Sequence, residues 1–323
     1  MIVRWGLDSL GGLLEELGIE RPLLISSERW RGIELPVAHR FHGVRRHAEA
    51  ESVQAARVAA EGADGLIALG GGSAIDTAKA VSAGSGLPVV SLPSTYSGAE
   101  WTDFFGIRDT VARVKTGGTG ARTIAVVYEP SLTLGLPPEE SGGTALNALA
   151  HCAEALYVPG RGPQTDAEAL AGGALIDRWL ERVLDDGDDL EARRGLLEGA
   201  MHAGAALCAG MGVAHAMAQA LGGRYGLAHG TMNAVCLPVA LRFNADVAAE
   251  AIARLADAMG TSDAAGRCDE LAGLFTSLRL RDHGVPRADL VALAEATAVR
   301  PAARGNPRPA GAVEVLALLE QIW

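Results

Sequence analysis

The sequence predicts an α/β nucleotide-binding domain with a mostly parallel sheet, followed by an all-helical domain. Three observations predict it. Short β-rich runs alternate with helical stretches of about 10–15 residues over residues 1–137, as βαβ units require. A glycine cluster joins one of those strands to a helix. Residues 138–323 are rich in Ala, Leu and Glu, with apolar spacings of three and four and no strand alternation. A chain of 323 residues also suits two domains, at roughly 150 residues each.

Taken in order, residues 10–17 read as a helix and 21–26 as a buried strand. Residues 37–44 form a second strand, rich in His and Arg. Residues 48–60 are helical by composition, and 64–69 (DGLIAL) form a strand. The glycine cluster opens a helix at 74–83, followed by a strand at 87–92. Residues 111–120 read as a hairpin or loop, and 123–128 (TIAVVY) as a further strand. Leu136-Pro137-Pro138 marks the change of character. Beyond it, helical periodicity is clearest at 167–184, 190–207, 247–259 and 312–322.

Basic residues number 28 against 39 acidic ones, giving a net charge of −11. That balance, with no Lys/Arg block, argues against nucleic acid or an anionic membrane as partner. No apolar run approaches the roughly 20 residues needed to span a bilayer. The four cysteines (Cys152, Cys208, Cys236, Cys268) form no CxxC pair, which excludes a zinc knuckle. With no signal-like N-terminus, the expected location is the cytoplasm, with reduced thiols. Among the basic residues only Lys79 and Lys115 are lysines.

Strand 64–69 runs into Gly70-Gly71-Gly72-Ser73 and then a helix. Glycines let backbone N–H groups approach an anion, the helix start adds a favourable dipole, and Ser73 suits a cap or a phosphate donor. A ligand-free turn would use the same residues. The next turn places Ser94, Thr95, Tyr96, Ser97 and Glu100 where a strand ends, the usual ligand position in an open α/β sheet. In the helical half, Asn147 and His151 share a helix face, and His215 and His229 follow. Three imidazoles and an amide oxygen can hold a divalent metal, or they can be packed, hydrogen-bonded core residues. His39, His42 and His47 alternate with arginines and read as solvated surface, while His202 and His283 stand apart.

Five ordered motifs resemble the iron-containing alcohol dehydrogenase superfamily, specifically its maleylacetate reductase branch. Gly70-Gly-Gly-Ser-Ala-Ile-Asp-Thr-Ala-Lys79 matches GGGSxxDxAK, and Pro93-Ser-Thr-Tyr-Ser-Gly-Ala-Glu100 is similar to PTTYAGSE. Val127 to Pro137 resembles VIYDPxLTLxLP, Asn147 to Tyr157 resembles NAxAHxxEALY, and Gly305-Asn-Pro-Arg-Pro309 carries NPRP. The resemblance implies a dehydroquinate synthase-like architecture. It also implies NADPH or NADH bound between the domains, and hydride transfer to a small anionic carbonyl or enone. Cofactor contacts are implied at Gly71, Gly72, Ser73, Asp76, Ser94, Thr95, Lys115 and Ser27, with Asp76 able to pair with Lys79.

The implied catalytic residues are His151, His215 and His229, which with Asn147 are also the implied ligands of a divalent metal, Fe or Zn. Arg224, Arg308 and Tyr96 are the expected substrate contacts, and a homodimer is expected. Asn147 stands where alcohol dehydrogenases carry Asp, so a cation would be held more weakly. Gln219 stands where the superfamily usually carries a proton-transferring histidine, and glutamine cannot titrate. Ser27 replaces the acidic residue that often reads the ribose, and with Arg29 and Arg31 beyond it the sequence predicts that NADPH is accepted. Two other functions remain compatible with these motifs. One is a metal-dependent alcohol or polyol dehydrogenase; the other is a non-redox lyase, cyclase or silent binding homologue on the same fold.

Overall fold

A computed structural model describes residues 1–109 and 114–323, without the side chains of Val114 and Lys115. Contacts divide the chain into an α/β unit, residues 1–95 and 99–133, and a helical unit, residues 96–98 and 134–323. The segment Tyr96–Gly98 therefore belongs with the helices although it lies between strands in the sequence.

The α/β unit runs β1 (Ile2–Trp5), α1 (Ser9–Leu17), β2 (Pro22–Ser26), β3 (His39–Phe41), α2 (Ala50–Ala59), β4 (Gly65–Gly70), α3 (Gly72–Ser85), β5 (Pro88–Pro93), β6 (Phe105–Asp109), β7 (Val114–Gly118) and β8 (Arg122–Tyr128). Six strands form one parallel sheet in the order β1-β8-β5-β4-β2-β3. Side chains alternate between its faces because the strand period is two. Leu24, Ile67, Leu69, Val90, Leu92 and Val127 pack with Leu10, Leu13 and Leu14 of α1. Leu23, Ile25, Leu66, Ala68 and Val89 pack instead with Ala56 of α2 and with Ile75, Ala78 and Val81 of α3.

Two elements differ from the sequence reading. β1 was not expected: four residues are too few to show a period, and pairing with β8 is what makes them a strand. The strand expected at 37–44 shrinks to His39–Phe41 at the sheet edge. Of the hairpin or loop expected at 111–120, residues 111–113 lie outside the described residues; β7 pairs antiparallel with β6, Lys115 opposite Arg108.

Lys79 is fully buried on α3 and donates to Thr102 Oγ1 (2.9 Å) and the Phe104 carbonyl (2.8 Å). Its Nζ lies 3.9 Å from Asp76. Burial lowers its pKa, and the charges of Asp76, Glu100 and Asp103 oppose that shift. One of the two lysines is thus a tie between α3 and the segment before β6.

The helical unit comprises α4 (Pro138–Ala155), α5 (Pro163–Asp185), α6 (Leu190–Ala206), α7 (Val213–Tyr225), α8 (His229–Asn244), α9 (Ala249–Ala258), α10 (Ala264–Gly273), α11 (Leu290–Ala298), α12 (Pro301–Arg304) and α13 (Ala312–Gln321). Pro138 occupies the first turn of α4, where a missing N–H costs nothing. Val213, Met217 and Leu221 of α7 meet Met232, Val235 and Val239 of α8, with Leu293 and Leu318 completing the core. No single helix among the described residues is long and apolar enough to cross a membrane.

α4 and α8 touch through their backbones. A Cβ on Gly230 would stand 2.5 Å from the Gly143 carbonyl oxygen, and one on Gly143 would stand 3.1 Å from the Thr231 nitrogen. This approach sets the separation of Asn147 from α8, one turn further along. Gly230→Ala should therefore lower the unfolding free energy by about 1–3 kcal/mol, read from the urea midpoint. An unchanged midpoint would show that the crossing tolerates a methyl group.

Candidate functional site

The carboxyl ends of β2, β4 and β5 lie side by side, with Ser26 opposite Leu69 and Gly70 opposite Pro93. The strand order reverses between β2 and β4, the position where open α/β sheets take ligands. Gly70 adopts φ +144°, a region closed to most side chains, and turns the chain into α3. A Cβ on Gly71 would meet Thr95 Cγ2 at 2.7 Å. The N-cap Gly71 makes no side-chain cap, so the first N–H groups of α3 keep their capacity for an anion. Thr95 Oγ1 is buried without a hydrogen-bond partner. This donor set fits the phosphates of a dinucleotide.

Ser73 Oγ accepts from the backbone N–H of His47 at 2.9 Å. His47 and Ala48 both hold positive φ (63° and 49°), unfavourable for residues with a Cβ, and they carry the β3–α2 loop onto the glycine turn. The histidines expected on a solvated face are thus partly built in. His42 Nδ1 also lies 2.8 Å from Ser26 Oγ, and burial lowers the His42 pKa. Ser27 precedes a single 3-10 turn, Glu28–Trp30, and its side chain makes no cap hydrogen bond to it. Arg31 is paired with Glu28 and Arg29 stacks on Trp30, so the expected cation for a 2′-phosphate already has an acidic partner. Asp76 takes up structural work: its Oδ2 accepts from the Gly106 N–H at 3.1 Å and Oδ1 faces Lys79. The side chain of Lys115 lies outside the described residues.

In the helical unit, Glu154 organises the imidazoles. Its carboxylate, fully buried on α4, accepts from the N–H groups of Gly212 (2.7 Å) and Ala214 (2.9 Å), capping α7 from outside. It also accepts from His215 Nδ1 at 2.6 Å. A carboxylate only accepts, so Nδ1 carries the proton and His215 Nε2 is left buried with no partner. The His151 ring stacks on His215 at 4.3 Å between centroids, and His229 tilts against it at 5.8 Å.

Two amides hold the rest. Asn147 Nδ2 donates to the Ser97 carbonyl (3.2 Å) and to His151 Nε2 (3.0 Å), and Ser97 fixes which way the amide points because a carbonyl only accepts. His151 Nε2 is then the acceptor and Nδ1 the protonated nitrogen, buried without a hydrogen-bond partner. Asn233 Nδ2 donates to Asn147 Oδ1 (2.7 Å) and faces His229 Nε2 (3.1 Å). Burial, then the charges of His215 and His229, hold the His151 pKa well below the ordinary histidine range, so its imidazole is neutral.

The structure thus brings Asn147, His151, His215 and His229 together. Their donors do not fit a divalent cation. Asn147 Oδ1 is engaged by Asn233, and the Nε2 atoms of His151 and His229 each face an amide NH₂. The one acid, Glu154, sits behind His215 on its far nitrogen. Among the described residues no group of three or more His, Cys, Asp or Glu is arranged to hold a metal.

Three expected substrate contacts have other partners. Tyr96 is fully buried and its hydroxyl accepts from Arg193 (3.1 Å), an arginine that also donates to Ser141 and Gly187. Arg224 pairs with Asp289 at 3.1 Å on the exposed end of α7. Arg308 donates to the Phe243 carbonyl (2.9 Å) and lies over its ring. Sequence reasoning missed Glu154 and Asn233. The signal for the second was its interval of four from His229; Glu154 stood as the acidic position of the NAxAHxxEALY motif, but nothing local linked it to His215.

Residues 4–128 match the family model described as iron-containing alcohol dehydrogenase, and residues 142–323 match that of the family's C-terminal part. The maleylacetate reductase of Burkholderia cepacia is 38% identical over 285 residues, covering 86% of this chain and 79% of that protein. That of Pseudomonas knackmussii is 38% identical over 307 residues, covering 88% and 82%. The crystal structure of maleylacetate reductase from Agrobacterium tumefaciens superposes with a TM-score of 0.91 at 30% identity, covering 100% of this chain and 95% of that one.

Glu154→Gln replaces an acceptor of four N–H groups by an amide that must turn an NH₂ toward one or more of them. It should lower kcat about 10- to 100-fold, as loss of a group orienting a histidine does, with the dissociation constant of reduced nicotinamide cofactor unchanged. Full activity in this variant would remove Glu154 from the site.

Proposed function

Because this chain belongs to the iron-containing alcohol dehydrogenase family, in its maleylacetate reductase branch, and is an NAD(P)-dependent oxidoreductase, we propose that it delivers a hydride to a small anionic enone or carbonyl compound of the maleylacetate type at the imidazole cluster of the helical unit. The observation that carries this reading is the buried pair His151 and His215, each with one ring nitrogen lacking a partner. A reduced nicotinamide, when bound, supplies the hydride. Gly71, Gly72, Ser73, Ser94 and Thr95 are the residues we assign to its phosphates, with Ser27 and Lys115 as further contacts.

The remaining chemistry belongs to the chain. Hydride addition to an enone leaves negative charge on oxygen, and fixed donors in a water-poor site stabilise it strongly. His151 Nδ1–H is such a donor, held by Asn147. The proton that completes the reduction is assigned to His215 Nε2, which would take it up from water and pass it to the substrate while Glu154 holds the ring through Nδ1. His229, held by Asn233, closes the third side of the cluster. No step runs through a metal, since the donor set does not fit one. We also assign a homodimer to this reading: β1 is an edge strand, and such an edge offers a row of backbone groups to a second copy.

The test is loss of reduced-nicotinamide absorbance on adding maleylacetate to purified protein. His215→Ala should lower kcat at least about 100-fold while cofactor affinity stays intact. Activity should survive chelation. Activity lost to chelator and restored by Zn²⁺ or Fe²⁺ would favour the metal-dependent alcohol dehydrogenase reading.

Cofactor choice follows from Ser27. No carboxylate there repels a 2′-phosphate, while the Arg31–Glu28 pair removes the basis for a strong preference. NADPH and NADH should show kcat/KM values within about tenfold of each other, or about 1.4 kcal/mol. A preference for NADH beyond about 100-fold would overturn this assignment.

A further inference from the structure

His215, Gln219 and Gly223 lie at intervals of four on α7 and so share one face. Arg300, from the turn between α11 and α12, lies against the later part of that face. Its Nη1 donates to Gln219 Oε1 at 3.3 Å. A Cβ on Gly223 would stand 4.0 Å from Nη2, an ordinary contact distance, so the guanidinium lies alongside this part of the helix. Of the group's five N–H donors, one on Nη1 is engaged, and Nε is buried with no acceptor.

Buried arginines elsewhere in this unit have their donors taken up, Arg193 by the carbonyls of Gly187 and Leu136 and the hydroxyls of Tyr96 and Ser141, others by carboxylates. Arg267 is paired with Asp177, Glu181 and Glu270, and Arg254 with Asp166. Those carboxylates offset the desolvation of the charge. Burial lowers the pKa of the Arg300 guanidinium, and no carboxylate among the described residues opposes that shift. An unpaired cation is thus kept partly out of water on the helix face that carries His215. Gln219 contributes one neutral acceptor, which orients the fork without cancelling its charge. An acid at this position would close an internal ion pair instead.

We propose that Arg300, positioned by Gln219, is the anchor for a carboxylate of the substrate, and that this pair restricts the enzyme to anionic compounds. A planar guanidinium can take a carboxylate through two parallel N–H donors, adding orientation to charge. The inference rests on the reading that reduction occurs at the neighbouring imidazoles. It gives Gln219 a task that requires no titration.

Steady-state kinetics with maleylacetate test it. Arg300→Gln should raise KM about 10- to 100-fold, the range of a hydrogen-bonded charge pair, with the loss falling on KM rather than kcat. The dissociation constant of reduced nicotinamide cofactor should not move. Arg300→Lys should recover part of the loss. Gln219→Glu, which keeps the arginine but pairs it internally, should also raise KM. An unchanged KM in Arg300→Gln overturns the proposal. If the wild-type protein does not oxidise reduced cofactor with maleylacetate, the reading of the reaction fails and the anchor is tested alone. Succinate should then raise the Tm of wild type and not of Arg300→Gln; equal shifts, or none in either, overturn it.

Discussion

A buried carboxylate holds the helical half in working order. Moving an ionised glutamate out of water costs several kcal/mol unless donors replace its hydration. Glu154 finds them at the start of α7 and on His215 Nδ1. One acid thereby satisfies backbone donors that a helix start leaves open and fixes the orientation of an imidazole. Because the same carboxylate binds α4 to α7, the ring of His215 comes to rest on that of His151. The glycine crossing of α4 and α8 supplies the second constraint, bringing Asn233 and His229 to Asn147.

The two units meet their chemistry by different means. The α/β unit offers backbone: open N–H groups at the start of α3, reached through glycines where a side chain would strike Thr95. Such groups suit an anion whose position is set by the sheet, since parallel register carries β2, β4 and β5 to neighbouring ends. The helical unit offers side chains, each held by a second side chain or carbonyl. In the proposed reaction the backbone groups serve the cofactor and the side chains supply oriented polar groups.

Lysine illustrates how position outweighs composition. Lys79 is one of two lysines in an arginine-rich chain, and its ammonium fits a closed pocket between Thr102 and the Phe104 carbonyl. A planar five-donor guanidinium would present more N–H groups than that pocket has acceptors. Arginine shows the converse. Arg224 and Arg308 stood near suggestive motifs, yet both have local partners, while Arg300 stood in no motif and keeps a buried Nε without an acceptor.

Much of the fold was legible in the linear sequence, because periodicity is local. Short β-rich apolar runs marked β4, β5 and β8, the glycine run marked the start of α3, and spacings of three and four marked α5, α6, α9 and α13. Asn147 and His151 were legible through their motif, and His215 and His229 joined them through the family resemblance. What no local pattern contained were pairings across long intervals: β1 with β8, Glu154 with the start of α7, Asn233 with Asn147, Arg300 with Gln219. Those depend on which helix faces meet, and that is decided by packing of the whole core. By itself the sequence determined the architecture and the kind of chemistry; tertiary structure alone decided which polar groups remain unpaired, because a hydrogen bond is a property of two positions at once.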